Sequence, residues 1–375
     1  MLAALAAALA LCAAWAPARA SESLTVAAKG AVLIDADSGR VLFAQDADRV
    51  LPMASTTKVM TALLALENAS LDEQVTAGKN ASGVPGTSLY LSEGETLSME
   101  HMLYGLMLRS GNDAAVAIAE HIAGSVPAFA EMMNKRAGEL GADAHFVNPH
   151  GLDADGHGIS ALGLALVMRE AMKNEEFRRI TATQRKVIPW VGNEYSRVLE
   201  NKNKLLKTYE GATGGKTGYT GKAGRCLVFS AERDGLSLIG VVLNCPTWFD
   251  TATMMLDWGF ENFRAQSALA EGETVSELPV MAGECATVRI QAASPLRAAV
   301  RVGSDVRAEL VLPERLVAPV RPGQAVGTAR LVSEGRAVAQ CALVAAAGVE
   351  RRSFLRAVTR LLQRWLPSLR RNATS

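Results

Sequence analysis

Three short motifs stand in fixed order along this chain: Ser55-Thr56-Thr57-Lys58, Ser110-Gly111-Asn112 and Lys216-Thr217-Gly218. Each is weak alone, since an S-x-x-K match arises by chance about once in a chain of this size. As a set they constrain the fold, because their chemistry works only where a helix start, a tight turn and a glycine-lined strand edge converge. The stretch from Met53 to Asn68 reads as helix. Pro52 and Ser55 punctuate its start, and Val59, Met60, Leu63, Leu64 and Leu66 recur near the helical period. Ser55 and Lys58 are then one turn apart on one face, close enough to share a proton. A serine hydroxyl needs an adjacent base, and a lysine serves if its pKa is lowered. Burial and a second cation both lower it, and Lys216 is that cation if the motifs meet.

Ser110-Gly111-Asn112 follows the apolar segment Met102 to Leu108 and precedes the helical run Ala114 to Ala119. It reads as a tight interhelical turn whose hydroxyl relays a proton and whose amide holds a substrate amide. Gly214-Gly215-Lys216-Thr217-Gly218-Tyr219 precedes a hairpin: Arg225 to Phe229 and Leu236 to Leu243 are β-rich runs joined by Asp234-Gly235, a type I′ signal. The glycines let an extended peptide approach the strand edge, and Lys216 and Thr217 are placed to hold a carboxylate.

The ordered trio S-x-x-K, S-x-N, K-T-G is an established signature of penicillin-binding proteins and class A β-lactamases. Here the chain resembles the serine-type D-alanyl-D-alanine carboxypeptidases, the low-molecular-mass penicillin-binding proteins. The resemblance extends from Leu51 to Thr61, through Leu108 to Ala114 and Asn148-Pro149-His150-Gly151-Leu152, to Gly215 to Thr220. It implies a mixed α/β transpeptidase fold, with helices around an antiparallel sheet, followed by a small all-β sandwich. It also implies roles: Ser55 as acylated nucleophile, Lys58 as general base, Ser110 in proton relay and Asn112 in substrate binding. Lys216, Thr217 and Gly218 match the carboxylate-binding motif, and the backbone N–H groups of Ser55 and Tyr219 the oxyanion hole. Many relatives carry an arginine after the last sheet strand, but Asn244 to Asp250 contains none; Arg225 is a candidate substitute.

The two ends carry other signals. Leu2 to Trp15 is a Leu/Ala-rich core followed by the small-x-small site Ala18-Arg19-Ala20, so residues 1–20 read as a signal peptide, although no basic residue stands near Met1. Leu11 before Cys12 is too large for a lipoprotein signal. A net charge of +1 and a hydrophobic fraction of 49% describe an ordinary globular protein and imply no nucleic-acid partner. Four cysteines remain after cleavage: Cys226, Cys245, Cys285 and Cys341. An exported setting permits disulfides, but buried thiols fit equally well. His145, His150 and His157, with Asp153 and Asp155, lie in a Gly/Asp/Pro-rich loop that reads as cleft lining rather than a metal site. No cofactor is implied.

The catalytic part is expected over 24–263, with a small-residue linker from Ala265 to Glu273 and a β domain over 274–348. That domain is read from short alternating runs such as Ala286 to Ile290, Ala308 to Leu312 and Gly327 to Val332. Beyond it, Phe354, Leu355, Val358, Leu361, Leu362, Trp365 and Leu366 form one helical face, and seven arginines are spread over 351–371. This reads as an amphipathic helix lying on an anionic membrane surface, too short and charged to span it. Peptidoglycan stem peptides and β-lactams are the expected ligands. The alternatives are a DD-endopeptidase, a β-lactamase or a non-catalytic penicillin-binding sensor. Glu170, Glu175 and Glu176 do not continue as the E-x-x-L-N loop that a β-lactamase uses, and an intact nucleophile and base argue against a sensor.

Overall fold

The computed structural model describes residues 24–352 of the chain. Its centre is a five-stranded antiparallel sheet in the order Val41–Gln45, Gly30–Asp35, Leu236–Leu243, Gly224–Arg233, Ala212–Thr220. The inner strands are apolar on both faces because both faces are covered. Val32, Ile34, Val228 and Val241 face a mostly helical layer that includes Lys58–Asn68, Asn112–Ala123 and Ala161–Ala171. Ala31, Leu33, Leu227 and Phe229 point the other way, toward the helix Trp248–Asn262. The period-two alternation of a strand thus divides one apolar run between two cores. Asp234 and Gly235 have φ of 48° and 74°, as a type I′ turn requires, and close the hairpin at the pair Arg233 and Leu236.

The glycine-rich segment Ala212–Thr220 is itself the outermost strand, paired with Gly224–Arg233, and its far side faces the helical layer. Thr181 and Asn203 hold its outer edge. Thr181 Oγ1 accepts from Gly215 N at 3.0 Å, and Asn203 Nδ2 donates to Gly214 O at 3.1 Å.

The C-terminal part is all-β. A six-stranded sheet, Val306–Val311, Ala325–Ser333, Arg336–Ala345, Thr287–Ala292, Thr274–Met281, Leu316–Val317, shares a core with the two-stranded sheet Phe263–Leu269/Leu296–Arg301. The linker expected from Ala265 to Glu273 is therefore corrected: most of it is strand. Its small residues carry no marked periodicity, and what makes it β is the antiparallel ladder from Phe263–Arg301 to Leu269–Leu296. Polar contacts tie this part to the first sheet. Asp35 Oδ2 accepts from Ala299 N at 2.9 Å, Arg40 donates to Ala299 O at 2.8 Å, and Arg297 pairs with Asp37. Cys226, Cys245 and Cys341 are buried thiols and Cys285 an exposed one. Among the described residues no helix is long and apolar enough to cross a membrane. The signal peptide at 1–20, and all but the first two residues of the helix expected at 351–371, lie outside the described residues.

Candidate active site

Ser55 lies in a 3₁₀ turn, Ala54–Thr57, that runs directly into the helix Lys58–Asn68. The turn is anchored by its own side chains: Thr56 Oγ1 donates to Met53 O at 2.6 Å and Thr57 Oγ1 to Ala54 O at 2.8 Å. His157 supports it from outside, with Nε2 2.9 Å from Thr57 Oγ1 while Nδ1 accepts from Val147 N. The Asn148 to Leu152 signature packs beneath the turn. Gly151, at φ +89°, approaches so closely that a Cβ there would overlap Ala54 O, so only glycine fits. Of the other two histidines of this loop, His150 Nδ1 accepts from Leu152 N and His145 Nδ1 lies near Gly156 O.

Lys58 is fully buried, at 0% exposure. Its Nζ stands 3.0 Å from Ser55 Oγ, 2.7 Å from Asn112 Oδ1 and 2.7 Å from His150 O. Two of these partners are carbonyl oxygens, which only accept. In its neutral form the amine has two N–H groups for the two carbonyls and one lone pair left for the serine hydroxyl. The electrostatics favour that neutral form. Burial holds the Lys58 pKa well below the lysine value of 10.5, and the charges of Lys216 and Lys202 lower it further. Sequence spacing identified the serine–lysine contact; the His150 carbonyl that helps aim the lysine carried no signal of its own.

The second motif lies where the π-helical turn Gly105–Arg109 meets the helix Asn112–Ala123. Ser110 takes a left-handed conformation, φ 68°, which turns the chain sharply. The neighbouring Asp113 fixes the segment above it, accepting from Ser88 Oγ, Leu89 N and Leu91 N. Thr87 on that segment accepts from Asn112 N and donates to Ser110 O. Asn112 donates its amide N–H to Pro85 O at 2.6 Å and its oxygen accepts from Lys58, so here it orients the Lys58 amine.

Lys216 reaches from the edge strand to the same point. Its Nζ donates to Ser110 Oγ at 3.1 Å and to Thr217 O at 2.8 Å. Burial, with a contribution from Lys202, lowers its pKa to about 7. The three motifs thus meet in two runs of contacts, Ser55–Lys58–Asn112 and Ser110–Lys216, that join along the backbone of the second motif. Gly218 lies against the turn that carries Ser55: a Cβ there would stand 2.9 Å from Ser55 N.

Arg225 pairs across the hairpin with Tyr219 and donates to Pro246 O at 2.7 Å, inside the segment that lacks the relatives' arginine. With Thr217 it lines a cavity of about 870 Å³ bounded also by Trp248 and Phe249.

A serine paired with a buried lysine, on an antiparallel sheet with helices on both faces, defines the class of penicillin-interacting serine acyl-transfer enzymes. Residues 16–247 match the family model described as D-alanyl-D-alanine carboxypeptidase, and 263–351 match that of the penicillin-binding protein 5 C-terminal domain. The chain is similar to D-alanyl-D-alanine carboxypeptidase DacF of Bacillus subtilis, 33% identical over 350 residues and 90% of each protein. It is likewise similar to DacA of Escherichia coli, 33% identical over 347 residues, 84% of this chain and 82% of that one. Penicillin binding protein 5 from Haemophilus influenzae superposes with a TM-score of 0.76 at 31% identity, covering 88% of this chain and 99% of its own. The chain belongs to the D-alanyl-D-alanine carboxypeptidase family, serine hydrolases among the low-molecular-mass penicillin-binding proteins.

Proposed function

We propose that this protein is an exported carboxypeptidase that removes the terminal D-alanine from peptidoglycan stem pentapeptides through an acyl-enzyme at Ser55, limiting cross-linking, and that binds penicillin covalently. The observation that carries the reading is the environment of Lys58, a buried amine whose Nζ lies 2.7 Å from two carbonyl oxygens and 3.0 Å from Ser55 Oγ. Ser55 Oγ attacks the carbonyl of the penultimate D-alanine as Lys58 accepts its proton. The oxyanion is held by the N–H groups of Ser55 and Tyr219, each worth roughly 3–4 kcal/mol in comparable sites. The C–N bond breaks, and the proton passes through Ser110 to the leaving amine. Water then attacks the ester with Lys58 again as base. Lys216, Thr217 and Arg225 hold the terminal carboxylate. A β-lactam presents a strained amide and a carboxylate in the same arrangement, so it acylates the same serine.

A β-lactamase is disfavoured because Glu170 is engaged by Arg136 and Lys173, and Glu176 by Arg179, at the helical surface. The test is release of free D-alanine from a diacyl-Lys-D-Ala-D-Ala peptide, together with intact mass after penicillin treatment. The wild type should release D-alanine and carry an adduct, and Ser55→Ala should do neither. An adduct that persists in the variant would sink the assignment.

The outer face of the cytoplasmic membrane is the proposed location, supported by the export signal at 1–20 and the apolar and basic faces of 351–371. Deleting the residues after Glu350 should leave an active enzyme that no longer pellets with anionic vesicles. Binding of the full chain should weaken with salt, which screens the arginine contribution. A truncated protein that still pellets would overturn this part.

A further inference from the structure

Two aromatic side chains are held out over a pocket near the second motif, and one buried arginine fixes both. Tyr90 is 66% exposed and takes φ +60°, a left-handed backbone that strains a bulky residue. Trp190 lies in the loop of the hairpin Arg185–Ile188/Arg197–Glu200. The Arg197 guanidinium, paired with Glu95, donates to Tyr90 O at 3.2 Å and to Pro189 O at 3.1 Å. It also covers one face of the Trp190 ring at 4.9 Å. Asp113 clamps the Tyr90 segment from its other end, accepting from Leu89 N and Leu91 N. Neither ring is part of a hydrophobic core, so the strain and the anchoring present the rings rather than pack them.

With Arg109 and Ser196 the two rings line a pocket of about 250 Å³. Pockets that enclose drug-sized ligands run to roughly 300–1,000 Å³, so this one fits a single ring rather than a chain. A pyranose has an apolar face of C–H groups and a rim of hydroxyls. Aromatic faces suit the first, and the Ser196 hydroxyl and Arg109 guanidinium suit the second. The place of the pocket says which sugar. Arg109 and Val198 also line the cationic cavity beside Thr217, with Lys202, Lys204 and Lys207, so the pocket adjoins the carboxylate-binding end of the cleft. Under the proposed carboxypeptidase function, on which this step rests, every wall stem that enters the cleft is a branch of an N-acetylhexosamine polymer. The pocket lies past the leaving D-alanine and therefore meets a neighbouring stretch of that polymer.

We infer that Tyr90 and Trp190 form a saccharide subsite, which stacks one N-acetylhexosamine ring of wall glycan beside the cleft and so holds the enzyme on polymeric substrate. The subsite touches none of the reacting atoms. It acts through local concentration: with the glycan held, entry of a stem becomes an intramolecular event, which lowers KM on the polymer and leaves kcat alone.

The experiment uses full-length protein and chitotetraose, a soluble N-acetylglucosamine tetramer, with tryptophan fluorescence and calorimetry as readouts. Wild type should bind it saturably. Tyr90→Asn removes the ring yet suits a positive φ, so the fold is kept. It should weaken binding about tenfold, as should Trp190→Ala, each losing one stacked face. Tyr195→Ala is the control, since Tyr195 is 76% exposed but does not line the pocket. D-Alanine release is then compared on isolated pentapeptide-rich sacculi and on diacyl-Lys-D-Ala-D-Ala. Tyr90→Asn should raise KM on sacculi about tenfold and change release from the small peptide by less than about twofold. The inference is overturned if wild type does not bind chitotetraose, if Tyr90→Asn binds it as wild type does, or if both substrates slow equally. It is also overturned if wild type sediments as a dimer that Tyr90→Asn dissociates, because a second copy would then be the occupant. Binding is read without turnover, so a wild type that binds the saccharide but releases D-alanine from neither substrate would overturn the carboxypeptidase reading instead.

Discussion

Replacing Gly218 by alanine tests how closely the edge strand must approach the nucleophile. A Cβ at this position would lie 2.9 Å from Ser55 N, 3.0 Å from Met53 O and 3.0 Å from Thr56 N, where ordinary contact begins at 3.4 Å. All three are backbone atoms, so no side chain can rotate away, and strand and turn must separate by about half an ångström. Gly218 does not adopt a positive φ, so alanine adds no conformational strain of its own. The cost therefore falls on geometry. Tyr219 N–H moves with the strand while Ser55 N–H stays with the turn, which widens the proposed oxyanion hole. A 1 Å misplacement costs about 100-fold in rate, and complete loss of one oxyanion donor about 100- to 1,000-fold. Acylation of Gly218→Ala by a fluorescent penicillin should accordingly fall about 10- to 100-fold. Overpacking at one contact should lower stability by only about 1–3 kcal/mol. Gly221→Ala is the control, since nothing lies within 4 Å of its Cβ position. Stopped-flow acylation with matched urea unfolding separates the two effects. A Gly218→Ala enzyme that acylates at the wild-type rate would refute the reasoning.

Lys58→Arg should abolish acylation, because a guanidinium stays protonated at usable pH, whereas Lys216→Arg should keep some activity, since a cation still meets the carboxylate; equal loss in a penicillin-labelling assay would contradict these separate roles. The pH dependence follows from the sign of the Lys58 shift. With Lys58 as the proposed base it must be neutral, so kcat/KM should rise with pH through its pKa, and a lowered pKa puts that rise well below 10.5. Because the Lys216 charge helps depress it, Lys216→Gln should move the rise to higher pH, and an unmoved or lowered limb would show that the two amines are not coupled. Arg197 and Glu95, both buried, meet at 2.6 and 2.9 Å, and Arg197 also donates to Leu89 O and Tyr90 O behind the second motif. Arg197→Met should cost about 3–5 kcal/mol by stranding a buried carboxylate, and adding Glu95→Leu should recover much of it. Urea unfolding of both variants checks this, with no recovery in the double variant counting against it.

Some of this protein was legible in its sequence because the controlling interactions are local. Ser55 and Lys58 meet because one helical turn separates them, and Asp234-Gly235 forms its hairpin because both residues tolerate positive φ. Thr287–Ala292 became a strand for a similarly short-range reason, its alternating pattern matching alternate burial, whereas Val306–Val311 buries no residue and is held by pairing with Ala325–Ser333. The segment Phe263–Leu269 gave no such cue, since its strand character comes from pairing with Leu296–Arg301. The same limit applies at the site. The proposed role of Lys58 as base depends on Asn112, 54 residues away, and the His150 carbonyl, 92 residues away, which contact its Nζ, and on folding, which strips its water. Arg225 turned toward Pro246, and the cationic cavity beside it, likewise arise only where distant strands and loops close on one cleft. The sequence determined which groups exist and how neighbours along the chain are spaced. Burial and long-range proximity, which lower the pKa of both amines and decide what each one meets, were decided by the tertiary structure alone.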